Sequence, residues 1–106
     1  MLIETNFIPR PYSAITIWPF IFIKPAYSND HALLMHEITH YDEQRWITPW
    51  WWAKYIFSTR FRIAAEVRAY QVQIIMGFPL ESAVAWLCTY DRKLTKETAR
   101  ALLLAK

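Results

Sequence analysis

The segment His36-Glu37-Ile38-Thr39-His40 sets two histidines four residues apart, with a glutamate beside the first. On a helix, residues at i and i+4 project from one face, a turn apart. Two imidazoles placed this way can each give a ring nitrogen to one Zn²⁺ at about 2.0–2.1 Å. Glu37 would stand next to the first ligand without binding the metal. There its carboxylate can take a proton from a water that the metal activates, the arrangement of metal-assisted hydrolysis. The bland alternative is a polar helix face that carries the two histidines by coincidence.

A catalytic zinc site needs a third protein ligand and one open position. No histidine follows His40, so that ligand is not a third imidazole. Cys88, the single cysteine, falls on an apolar stripe, where a free thiol usually serves as core. Among the later acidic residues, Asp42 and Glu43 belong to the histidine helix itself, too close to complete the coordination sphere from the far side. Glu81, Asp91 and Glu97 lie further along, and Glu66 is the best of the set. It sits among Ile63, Ala64, Ala65, Val67 and Ala69, where an unpartnered carboxylate would be costly to bury. An ion pair between Arg62 and Glu66 on a solvated face is the competing reading.

Tyr70 lies one turn beyond Glu66 on the same face. Its hydroxyl can support an oxyanion or brace a ligand, or its ring can simply pack. Gln73 and Arg62 share that face and are candidates for holding ligands through hydrogen bonds. His31, near a helix start, reads as a surface or capping residue.

These side chains need elements to position them. Ala14–Trp18 is β-branched and apolar, Pro19 restricts its continuation, and Phe20–Ile23 resumes the pattern until Lys24-Pro25. One or two strands follow, at least one near a sheet edge. Ser28-Asn29-Asp30 supplies capping chemistry for a helix over 31–46, with Leu33, Leu34, Ile38 and Tyr41 as its apolar stripe. Thr48-Pro49 is another start signal, an N-cap hydroxyl before a first-turn proline, and Trp50–Phe57 continues as an aromatic helix. A third run covers about residues 60–76 and stops at Gly77. Pro79 opens a fourth, to about Lys93, and Thr95 can cap a last helix ending in Leu102-Leu103-Leu104. Strands followed by four or five helices give an α+β order.

At 106 residues the chain reads as a single domain, residues 1–106, with no repeats and no linker. Hydrophobic residues make up 55% and aromatics 17%, which excludes intrinsic disorder. One cysteine excludes both a disulfide scaffold and a multi-thiolate zinc site. No stretch reaches the roughly 18 apolar residues of a membrane span, and Met1–Thr5 lacks the form of a secretory signal. A cytoplasmic location is the expectation from both. The formal charge of +3 fits a solvated helix face, with no motif for nucleic acid. Six tryptophans exceed what so small an interior readily hides, so some exposed apolar surface is expected. The aromatics and cations of Trp50–Arg62 suit a homo-oligomer contact, a substrate groove or a peripheral membrane contact.

His36-Glu37-x-x-His40 followed by Glu66-x-x-Ala69-Tyr70 and Gln73 resembles the gluzincin metallopeptidases in their smallest form. These are the single-domain minigluzincins and related short phage and bacterial peptidases. Their fold is similar to the catalytic core of integral-membrane metallopeptidases that process prenylated proteins or sense β-lactams. The resemblance spans roughly residues 14–76. It implies a zincin-like fold, one Zn²⁺ per chain on His36, His40 and Glu66, and Glu37 as base and acid, with Tyr70 assisting. It also implies a peptide or protein substrate, held as an extended strand along an edge at Ile17–Ile23.

Overall fold

Asp30 caps the histidine helix: its carboxylate accepts from the Leu33 N–H at 3.0 Å, and α1 runs His31–Gln44. The computed structural model describes residues 1–105. The buried residues of α1 are His36, Glu37, His40 and Gln44, whereas the Leu33, Leu34, Ile38 and Tyr41 stripe is only half-buried. This inverts the expected orientation. The polar face turns inward because the helix facing it supplies partners for its side chains.

That facing helix is α3, Thr59–Ile75, capped by the Ser58 hydroxyl, which accepts from the Phe61 N–H at 3.2 Å. It buries Ala65, Glu66, Ala69, Tyr70 and Gln73 toward α1 and the core. Ala65 and Ala69 have no exposed surface, and their small side chains let the two helices approach. Gly77 follows with φ of +109°, a backbone state that L side chains rarely adopt, which accounts for the stop there.

β2 (Ala14–Ile17) and β3 (Phe20–Ile23) form an antiparallel hairpin that turns at Trp18-Pro19. β1 (Leu2–Glu4) pairs parallel to β3, giving the order β1-β3-β2. Three residues are too few to show a strand's period, so β1 has no visible signal in the sequence. Its presence makes β3 central. The edge strand beside the site is therefore β2, which corrects the Ile17–Ile23 assignment. Gln44, fully buried at the end of α1, covers part of that edge. Its amide donates to the Thr16 carbonyl at 2.9 Å and accepts from the Trp18 N–H at 2.8 Å.

α2, Thr48–Phe57, carries Pro49 in its first turn. Thr48 belongs to the helix rather than capping it, and its hydroxyl donates to the Gln44 carbonyl at 3.2 Å. One side of α2 turns Trp51 inward, while Trp46, Trp50 and Phe57 are 79%, 64% and 87% exposed. α4, Leu80–Leu87, ends sooner than expected: a short 3₁₀ turn covers Cys88–Tyr90, and Asp91 then accepts from the Lys93 N–H in an Asx turn. α5, Lys96–Leu104, is capped by Thr95 as the sequence indicates. The apolar core lies among α3, α4 and α5, built from Tyr70, Ala83, Val84, Leu87, Ala99 and Leu103. Cys88 packs against it, partly buried. The result is an α+β architecture of five helices and one small sheet. No helix among the described residues is long and apolar enough to cross a membrane.

Candidate metal centre

α1 and α3 bring His36, His40 and Glu66 together, each nearly inaccessible to solvent, with one ligand atom apiece within 4.8 Å of the others. Glu66 Oε1 lies 3.1 Å from His36 Nε2 and 3.3 Å from His40 Nε2. Bonds of about 2.0–2.1 Å to a tetrahedral ion put neighbouring ligand atoms about 3.3 Å apart, so these separations fit such a centre. The third ligand expected from the sequence thus faces the histidine pair. The competing ion pair with Arg62 does not form.

The surroundings orient each donor. Gln73 Oε1 lies 2.8 Å from His36 Nδ1, a partner that fixes the ring with Nε2 turned to Glu66. His40 Nδ1 faces Glu43 Oε1 at 3.7 Å, too far for a hydrogen bond, and both atoms are buried without another partner. Glu43 is in turn paired with Arg68. Tyr70 packs its ring edge-on against His36 with centroids 4.4 Å apart.

Burial opposes charge on His40, but the Glu66, Glu43 and Glu37 carboxylates together outweigh it. The imidazole is raised to about 10. Burial likewise pushes Glu66 up, yet His40 and His36 prevail and hold its carboxyl well below the ordinary range. The site without metal is thus built around a charged pair. A metal ion bound by the three donors would take the place of the His40 proton.

Glu37 stands beside the triad. The Thr16 hydroxyl, from β2, donates to Glu37 Oε1 at 2.8 Å, and Glu37 Oε2 lies 3.9 Å from His36 Nε2. A cavity of about 160 Å³ opens over the triad, walled by Thr16, Trp51, Trp52 and Tyr55. A second, of about 210 Å³, adjoins it past His36, Glu37 and Ala14, with Tyr27, Phe78 and Trp86 in its wall. No known protein family, curated protein or solved structure matches the chain. The site therefore rests on its own geometry.

Thr16, Glu43 and Tyr55 are contributors that the sequence reading did not assign. Thr16 and Tyr55 come from elements with no fixed spacing to the motif. Glu43, three residues beyond His40, had only its unsuitability as a ligand to mark it. Arg62 holds no ligand: it donates to the carbonyls of Tyr55 at 2.8 Å and Tyr90 at 3.1 Å, pinning α2 to the turn after α4. His31 is exposed at the start of α1.

Proposed function

We propose that this protein is a zinc-dependent peptidase of gluzincin type with a zincin-like fold, in which His36, His40 and Glu66 hold one Zn²⁺ and Glu37 is the general base. The observation that carries this reading is the pairing of a three-donor centre with a second carboxylate held just outside it. Zinc bound there supplies Lewis acidity, polarising a scissile carbonyl and making water a better nucleophile. Thr16 occupies Glu37 Oε1 and so leaves Oε2 turned to the centre. Oε2 takes the proton of the attacking water and delivers it to the amine nitrogen as the C–N bond breaks. Of the two roles open to Tyr70, bracing a ligand is the one its packing on His36 supports.

A peptide enters along β2. The Ser13 carbonyl accepts from Lys24 N–H, so by alternation Ala14 and Thr16 turn their backbone groups away from β3. Gln44 takes the Thr16 carbonyl, which leaves Ala14 as the point where a substrate strand pairs. The two cavities then receive side chains from either side of the scissile bond, and their aromatic walls favour bulky apolar ones.

Glu37→Gln tests this directly. Peptide-library hydrolysis should fall about 10²- to 10⁴-fold with zinc content unchanged. Unchanged hydrolysis would remove Glu37 from the chemistry. The exposed aromatic side of α2 favours a second reading, a catalytically silent zinc module that docks on a partner or membrane through Trp50–Arg62. Zinc-loaded wild-type protein that cleaves no peptide would favour that one.

A further inference from the structure

Glu66 uses its two oxygens differently. Oε1 faces both histidines, whereas Oε2 accepts a hydrogen bond from the Tyr55 hydroxyl on α2. Tyr55 is itself held on three sides. Its ring stacks on buried Trp51 with centroids 4.9 Å apart and planes 18° from parallel. Its carbonyl accepts from Arg62 at 2.8 Å, and its hydroxyl ends on a carboxylate that is almost wholly buried. Trp51 meanwhile lies edge-on to His40 at 5.5 Å. A single aromatic unit thus touches a histidine at one end and the carboxylate at the other.

We infer that Tyr55 is a positioning residue of the metal centre, which engages one oxygen of Glu66 so that the carboxylate offers the ion only the other. The inference rests on the metal-binding reading of the triad and is independent of peptide hydrolysis. A phenol O–H donated to one carboxylate oxygen draws electron density from it and fixes the rotation of the group. Freed of that bond, the carboxylate can turn and present both oxygens, filling the position that substrate or water needs. The tryptophan-rich helix therefore completes the centre, meeting His40 through Trp51 and Glu66 through Tyr55. Positioning of this kind has a known scale: removing a partner of a metal ligand typically costs 10–100-fold in affinity.

Tyr55→Phe removes one oxygen and keeps the ring and its stacking on Trp51. Zinc affinity would be measured on the full chain against a competing chelator, and the absorption of the Co²⁺-loaded protein recorded alongside. The expected result is zinc binding weaker by about 10–100-fold, with visible Co²⁺ bands reduced in intensity as the coordination number rises. A tyrosine that only packs would leave the Co²⁺ bands where they are. Wild-type binding with identical affinity and bands in the variant would overturn the inference and leave the metal centre standing. Wild-type protein that takes up neither Zn²⁺ nor Co²⁺ would overturn both.

Discussion

His40 and Glu66 stabilise each other's charged form in the metal-free chain, and this ties both stability and metal uptake to pH. His40, raised from 6.5 to about 10, stabilises the fold fully below pH 6.5, and the contribution is lost as pH climbs through about 10. Glu66, held below its ordinary 4.5, contributes above that value and loses its contribution as pH falls beneath it. From these two groups, metal-free stability should be greatest between about pH 4.5 and 6.5. An incoming ion must displace the His40 proton, so zinc affinity should rise about tenfold per pH unit between about 6 and 8. Calorimetry in two buffers of different ionisation enthalpy would show about one proton released per ion. A pH-independent affinity would contradict the charged pair. At this scale much of the site was legible, because i, i+4 spacing and residue type mark His36, Glu37 and His40, and an isolated glutamate among alanines marks Glu66. Thr16 and Tyr55 were not, since a hydroxyl on another element becomes meaningful only once the fold brings it near.

Among elements, the link between β2 and α1 depends on one side chain. Gln44 is fully buried and satisfies one carbonyl and one N–H of an edge strand that otherwise has no backbone partner on that side. Gln44→Ala would leave the buried Thr16 carbonyl and the half-buried Trp18 N–H unpaired, at a cost of about 2–4 kcal/mol to the metal-free protein by urea unfolding. A change below about 0.5 kcal/mol would mean that water replaces the amide without loss. The same contact limits how far a substrate strand can pair along β2. Helix existence followed well from capping residues and from Gly77, but helix orientation did not. The half-buried Leu33, Leu34, Ile38 and Tyr41 stripe of α1 looked like the core face, and the polar side proved to be the buried one. Burial of a polar face depends on partners supplied by α3, Glu66 and Gln73 above all, which a period in one helix cannot reveal.

For the molecule as a whole, the apolar core and the candidate site occupy different regions. Ala83, Val84, Leu87, Ala99 and Leu103 gather α4 and α5 against α3, and the other side of α3 is given over to the polar centre. So small a chain thereby spends much of its interior on ionisable groups, a costly choice unless the cluster binds something. The α+β order was legible from the succession of extended and helical segments. The order of strands was not, because the three residues of β1 carry no pattern and yet decide which strand lies at the edge. Exposed aromatic surface was expected from the surplus of tryptophan and from the Trp50–Arg62 segment, and the fold exposes Trp50 and Phe57 there while it buries Trp51. The most direct test of the centre is zinc per chain by elemental analysis, on protein prepared without a histidine tag or chelator, beside Glu66→Ala. About one tightly held zinc in the wild type, weakened or lost in the variant, is the expected result. No zinc in the wild type after an attempt to reload it would contradict the metal centre, and the peptidase reading would fall with it.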